Sequence, residues 1–373
     1  MGNSRCRGTW RLRRAFFPVY LFVMAQTPGQ LQALVENVSS VLLGKHEPIR
    51  RVLVALLARG HVLLEDVPGV GKTVLTRAIS QSIDCTFNRI QLTPDLLPSD
   101  ILGVTIFVRD GGGGGVAPGA SHASGTSNGA AAVPGVGSGG RFEFKKGPIF
   151  ANIVLADEIN RTPPRTQTAL LEAMSEGTVT IDGRTHALDK PFMLLATQNP
   201  FDFEGTYPLP ENQLDRFFMR IGLGYPAPED EARVLAQRPA EHALQELRPV
   251  LSAGDVRRLQ EQVDRVRVEQ ALLDYIVAIA GATRRHPDLL VGLSPRGALA
   301  LAQAARATAV LHGRDYAIPE DVVDSVLPVC AHRIAPRAYT PVHSAAMRDE
   351  SDYPPGSPQG ILLSILGTIP SPA

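Results

Sequence analysis

Apolar residues recur every three to four positions through 28–43, where Leu31, Leu34, Val35, Val38, Val41 and Leu42 fall on one face, and that spacing predicts an amphipathic helix. A second helix is expected over 47–58. After Gly60 the period changes. Residues 61–64 form a short unbroken apolar run, 66–71 a glycine-bearing turn, and 72–83 a helical stretch, which together read as a strand–loop–helix unit. Further short apolar or β-rich runs at 86–91, 153–156, 192–197 and 218–222 alternate with helical stretches. Strands that are apolar throughout and separated by helices belong to a parallel sheet covered on both faces. The expected fold class is therefore α/β, with four or five strands flanked by helices, over 26–226.

Pro226 and Pro228 punctuate the chain, and beyond them the strand signals stop. Residues 229–237, 256–268, 270–285, 295–312 and 320–334 all read as helices, with Leu272, Leu273, Ile276, Val277 and Ala280 forming one stripe. A smaller all-helical domain is expected over 227–334. The tail over 335–373 is rich in Pro and Ser, and only 361–369 could dock as a short apolar element. Residues 110–140 contain 12 glycines, few charges and no periodicity. Such a segment cannot bury enough apolar surface to offset its ordering entropy, so it is expected to be a disordered loop inserted in the first domain.

A length of 373 residues fits two domains with extra segments. Thirty-seven basic residues balance 37 acidic ones. A net charge of zero provides no global field toward a polyanion, so no nucleic-acid partner is expected. The first 25 residues join five arginines to the apolar run 15–25, which resembles a secretory leader. That run is far short of the roughly 20 residues a spanning helix needs and contains Pro18, so no stable membrane insertion is expected. We take Met24 as the start of the working chain and the cytoplasm as its compartment. Cys6, Cys85 and Cys330 lack any metal-ligand spacing and read as reduced thiols.

The chemistry begins at 66–73, which read Asp66, Val67, Pro68, Gly69, Val70, Gly71, Lys72, Thr73. Against the P-loop pattern GxxxxGK[ST] only the first glycine is missing, and the segment stands between a strand and a helix as that pattern requires. Glycines let backbone N–H groups curl around a polyphosphate, and the helix N-terminus adds its dipole. Lys72 would reach the β and γ phosphates and Thr73 would ligate Mg²⁺. The Asp66 carboxylate would repel phosphate unless it points away. ATP is thus expected to lie against Val67 through Val74. Downstream, 153–156 run into Asp157 and Glu158, two acids at the C-terminal end of a buried strand, where α/β sheets place their sites. Asp157 would hold the metal through its water shell, and Glu158 would deprotonate the attacking water.

Three further positions follow. The strand at 192–197 ends in Gln198, Asn199 and Pro200; Asn199 either holds the lytic water or only caps the turn. Arg216 stands just before the last strand and either pairs with Asp215 or reaches a neighbouring subunit's γ-phosphate. Ser294 and Pro295 open a helix that carries Arg296 on its first turn, aimed across the interdomain cleft.

The succession EDVPGVGKT, IVLADEINR, ATQNP, LDRF and LSPR, in order over about 300 residues, resembles the MoxR family of AAA+ ATPases. The resemblance implies an AAA+ P-loop core with a helical lid, using ATP and Mg²⁺. It assigns Asn199 to the sensor-1 position, Arg216 to the arginine finger and Arg296 to sensor 2, and it puts Gly44 and Lys45 at the adenine. It makes 92–148 the helix-2 insert of this clade and 178–190 the hairpin before sensor 1. It also implies a homo-oligomeric, usually hexameric ring that remodels or matures a client protein or helps insert metals and cofactors, often with a von Willebrand A domain partner. Three alternatives stay open: a magnesium-chelatase-type ATPase subunit, an MCM-like DNA motor, which neutral charge disfavours, and a non-hydrolysing assembly switch, which an intact Glu158 disfavours.

Overall fold

The structure is a computed structural model that describes residues 29–109, 140–199, 205–236, 240–337 and 353–372. The N-terminal 25 residues and nearly all of the glycine-rich insertion lie outside the described residues. The first part of the chain runs α1 (Gly29–Val41), α2 (His46–Leu57), β1 (Val62–Glu65), α3 (Lys72–Ser82), β2 (Phe87–Gln91), α4 (Pro98–Leu102), β3 (Gly103–Arg109), β4 (Gly140–Lys146) and β5 (Ile153–Asp157). It continues through α5 (Pro164–Glu176), β6 (Thr178–Ile181), β7 (Arg184–Ala187), β8 (Met193–Gln198), α6 (Glu211–Leu214) and β9 (Met219–Ile221).

Five strands form one parallel sheet in the order β2-β5-β8-β1-β9. Alternate residues feed two cores, as the two-residue period of a strand requires. Val62, Leu64, Ile153, Leu155, Met193 and Leu195 pack under α1, α2 and α3 in one continuous cluster that extends into the helical region. Leu63, Val154, Ala156, Leu194 and Ala196 face α5 on the other side. Two antiparallel hairpins project from the sheet. One is β3 with β4, the other β6 with β7, and the β6–β7 turn uses Asp182 and Gly183 at φ +49° and +75°. The left-handed pair matches the hairpin twist. Phe144 of β4 stacks on His186 of β7 at 4.1 Å between ring centres, so the hairpins brace each other.

The second part contains α7 (Pro228–Ala236), α8 (Ala240–Glu246), α9 (Ala253–Arg265), α10 (Gln270–Arg285), β10 (Leu289–Val291), α11 (Pro295–Leu311), α12 (Pro319–Cys330), β11 (Ala335–Pro336) and α13 (Pro358–Thr368). Two expectations need correction. Strands do not stop after Pro228, because β10 pairs antiparallel with β11. The single helix expected over 320–334 ends at Cys330, and Ala331–Arg333 continues as a tighter 3₁₀ turn. Pro328 inside that helix supplies no N–H to its ladder. The apolar tail segment does dock: Ile361, Leu362 and Ile365 of α13 are buried against α10, α12 and the 3₁₀ turn. Among the described residues no helix is long and apolar enough to cross a membrane, and Cys85 and Cys330 are free thiols.

His61, at the entry to β1, is locked as a neutral ring. Nε2 donates to the Met174 carbonyl and Nδ1 accepts from the Leu194 N–H, both at 3.0 Å. Burial lowers its pKa from 6.5 to about 4, against a smaller opposing effect of the Met174 bond. Below pH 6.5 the unfolded chain therefore takes up a proton that the fold excludes. Stability is expected to fall as pH drops from 6.5 toward 4, by on the order of 1–3 kcal/mol for this residue. Urea titrations at stepped pH check the sign, and His61→Gln, which keeps a donor and an acceptor, should flatten part of that slope.

Candidate functional site

The loop after β1 has the backbone that the glycines promised. Gly69 and Gly71 sit at φ +85° and +97°, and Gly71 caps α3 in the left-handed region. A Cβ on Gly69 would meet nothing within 4 Å, so glycine there serves the backbone angle and an open concavity. Asp66 does not face that concavity. It is fully buried, its Oδ2 accepts from the N–H groups of Leu223 and Gly224 at 2.6 Å each, and its Oδ1 accepts from Val67 N–H at 2.9 Å. The repulsion its charge threatened is thereby turned into a tie between the phosphate loop and the segment leaving β9. Asp66→Ala would orphan buried donors and is expected to cost about 2–3 kcal/mol in denaturant unfolding, with weakened nucleotide binding.

Lys72 donates from Nζ to the Asp66 carbonyl at 2.8 Å. Burial lowers its pKa, while Asp66, Asp157 and Glu158 act in the opposite direction. Gly44 and Lys45 lie beside this loop at the hinge: buried Lys45 donates to the Gly224 carbonyl at 2.8 Å, and Gly44, at φ +70°, packs so closely on Asp230 that a Cβ would collide with its carboxylate.

Asp157 and Glu158 close β5 beside the loop. Asp157 Oδ2 is held by Arg89 at 2.5 Å and Oδ1 by the Thr197 hydroxyl at 2.5 Å. Glu158 is a non-glycine residue at φ +61°, a strained conformation that points to function. Its N–H donates to Thr197 Oγ1 at 2.9 Å, and its carboxylate Oε2 accepts from Gln91 at 3.0 Å and lies 3.3 Å from Arg161 Nε. Thr197, Arg89, Gln91 and Arg161 are site residues that sequence reasoning missed. A signal existed for Gln91, because it is polar at the tip of the strand adjacent to β5 and pairs in register with Asp157. Asn199 follows β8 at the same edge, where its carbonyl faces Asn160 Nδ2 at 3.5 Å; the cap before Pro200 lies outside the described residues.

The other two arginines lie elsewhere. Arg216 and Arg296 line one pocket of about 240 Å³ together with Arg59, His61, Ser175 and Arg333. Gly60 and His61 precede β1 and the phosphate loop follows it, so about 13 Å of strand, four residues at roughly 3.3 Å each, separates the two sites. Ser294 caps α11 by accepting from Gly297 N–H at 3.1 Å, which fixes Arg296 on the first turn. Arg296 does face the boundary between the sheet and the helical region, but at the end of the sheet remote from the phosphate loop. Among the described residues the ion pair of Asp215 is with Arg333, at 2.9 Å, and not with Arg216. Arg216 instead donates to the Leu171 carbonyl at 3.1 Å and approaches Ser175 Oγ at 3.4 Å.

Known proteins are similar to this chain in sequence and fold. The family model described as "ATPase family associated with various cellular activities (AAA)" matches residues 61–120 and 135–219, and the AAA lid domain matches 281–352. YeaC of Bacillus subtilis is 48% identical over 77% of this chain and 81% of its own length. Chaperone MoxR1 of Mycobacterium tuberculosis is 38% identical over 92% of this chain and 82% of its own length. The crystal structure of a candidate ATPase from Cytophaga hutchinsonii superimposes with a TM-score of 0.73 at 34% identity, covering 92% of this chain and 95% of the other.

Proposed function

Because this chain belongs to the MoxR family of AAA+ ATPases, we propose that it hydrolyses ATP at a site completed by a second copy of itself, and uses the cycle to remodel or mature partner proteins. The observation that carries this reading is the separation of Arg216 and Arg296 from the phosphate loop by the length of β1. Two arginines gathered at the far end of the sheet cannot both turn back to their own γ-phosphate, whereas in a ring that face meets the next copy's loop. The ring is six-membered, and it works in the cytoplasm with a client such as a von Willebrand A domain protein.

The residues present fit ATP and Mg²⁺. The glycine turn borders open space at Gly69, and the one carboxylate in the loop is turned into the protein. Among the described residues no group of three or more acidic, His or Cys side chains could cage a metal. That suits Mg²⁺, which keeps its waters and binds through one or two protein groups plus phosphates. Thr73 would supply a hydroxyl, and Asp157 Oδ1, which accepts the Thr197 hydroxyl, keeps lone-pair capacity for a metal-bound water. The bound ion would neutralise charge developing on the transferred phosphoryl group. Lys72 would hold the β and γ oxygens, Glu158 would take the proton of the attacking water, Asn199 would orient that water, and Arg216 and Arg296 of the adjacent copy would stabilise the γ-phosphate.

Two measurements test this. Lys72→Ala is expected to abolish nucleotide binding in a titration with a fluorescent ATP analogue, since it removes the mobile cation of the cradle. ATPase per subunit should rise with protein concentration in step with ring formation seen by sizing. Turnover independent of concentration, from the monomer upward, would overturn the shared site.

A further inference from the structure

Arg333 lines the same pocket as Arg216 and Arg296, and its bonding is unlike that of Arg216. The Arg333 side chain is only 3% exposed and rises from the 3₁₀ turn that closes the lid. Its Nε donates to Asp215 Oδ1 at 2.9 Å, Nη2 to the Phe217 carbonyl at 2.6 Å and Nη1 to the Phe218 carbonyl at 3.1 Å, with a further bond to the Val329 carbonyl. The three acceptors outside its own helix bracket Arg216. Neighbouring His332 reaches the same Phe217 carbonyl through Nε2 at 3.1 Å. On its other side the Arg333 stem packs under the first turn of α11: a Cβ on Gly297, the residue after Arg296, would come 3.1 Å from Arg333 Cδ. The C-terminal helix α13 packs against the turn.

A buried cation is an expensive brace. An apolar side chain of similar volume would hold a joint of this size at lower desolvation cost, so an arginine here suggests that direction matters more than adhesion. The guanidinium fork fixes direction, because its planar donors must meet several acceptors at once. Asp215 is the one carboxylate among the described residues lining the pocket, and Arg333 engages it, while Arg216 and Arg296 line the same pocket.

We propose that Arg333 is a positioning residue that locks Arg216 of the core and Arg296 of the lid into one frame, so that the two arginines meet the neighbouring copy's γ-phosphate in a fixed mutual geometry. The inference rests on the shared-site reading above.

The test uses the full chain. Arg333→Met keeps the stem and removes the fork. Asp215→Asn weakens the same joint from the other side and serves if Arg333→Met does not fold. Arg333→Lys keeps the charge and should fall between Arg333→Met and the parent. Each is expected to bind the ATP analogue as the parent does while turnover falls about 10- to 100-fold, the range for a misplaced group remote from the chemistry. Mixing Arg333→Met with Lys72→Ala should restore activity, because the second subunit offers well-placed arginines to the first one's intact loop. Mixing Arg333→Met with Arg216→Ala should restore none. Arg216→Ala with Lys72→Ala is the reference mixture. Rescue in the reference with none for Arg333→Met or Asp215→Asn would place their defect in their own loop and overturn the proposal alone. No rescue in the reference, with co-assembly shown by sizing, would overturn the shared site and the proposal with it.

Discussion

Glu158→Gln is expected to retain ATP and to slow its hydrolysis about 10²- to 10⁴-fold, the contribution of a positioned general base. The amide is nearly isosteric, and the strained backbone that aims it is held by the bond from its N–H to Thr197 Oγ1, which the substitution leaves intact. An amide oxygen can still accept from Gln91. What disappears is the capacity to take a proton, so binding and turnover should separate. Equilibrium binding of an ATP analogue beside steady-state phosphate release measures the two. Turnover at the parental rate would remove Glu158 from the role of base. The same variant should hold rings in the ATP state, which makes it the bait of choice for capturing partner proteins.

The parts legible in the sequence were those whose chemistry is local. Residues 153–156 are fully buried on both faces of the sheet, so their apolar run needed no alternation to decode. Gly69 and Gly71 are demanded by backbone angles that few other residues adopt. Ser294 and Pro295 announced the start of α11 through its cap. The illegible parts depend on contacts distant in sequence. Nothing near Asp66 reveals that its acceptor sites would be filled by N–H groups of Leu223 and Gly224, 157 and 158 positions away. Strand β10 is three residues long and finds its partner in Ala335–Pro336, too short to show a period of its own. Basic residues such as His332 and Arg333 at the end of a helix are favoured by its dipole even in solvent, so their type alone does not signal burial. The packing of α13 and of the segment after α6 buries His332 and the side chain of Arg333.

Arg296 shows the same division more sharply. Its cap placed it on a first turn from sequence alone, yet which end of the sheet that turn faces is a property of how the lid seats on α2, and no local signal encodes it. Only that tertiary choice gathers Arg216 and Arg296 at one pocket, and it sets the scale of the remaining effect.

Arg216→Ala should bind nucleotide normally and lose about 10³- to 10⁵-fold in turnover, the range for an arginine supplied to a phosphoryl transfer from outside the site. The half-buried side chain donates to the Leu171 carbonyl and approaches Ser175 Oγ, both on α5, and neither contact touches the phosphate loop, so removing it should leave the subunit's own cradle intact. Its bonds to α5 are to neutral groups, and Asp215 is occupied by Arg333, so its charge has no carboxylate in that contact set to neutralise it. A cation that lines a pocket in this way is available to an anion from a neighbour. Lys72→Ala subunits, inert alone but carrying an intact Arg216, should therefore revive Arg216→Ala subunits, inert alone but carrying an intact loop. At equal mixing, random assembly joins the two in the productive order at about one interface in four, and that fraction of parental ATPase is the ceiling expected when interfaces act independently. Recovery far above it would mean that neighbouring sites drive one another, whereas none at all in demonstrably mixed rings would return Arg216 to a purely structural role at the end of α5.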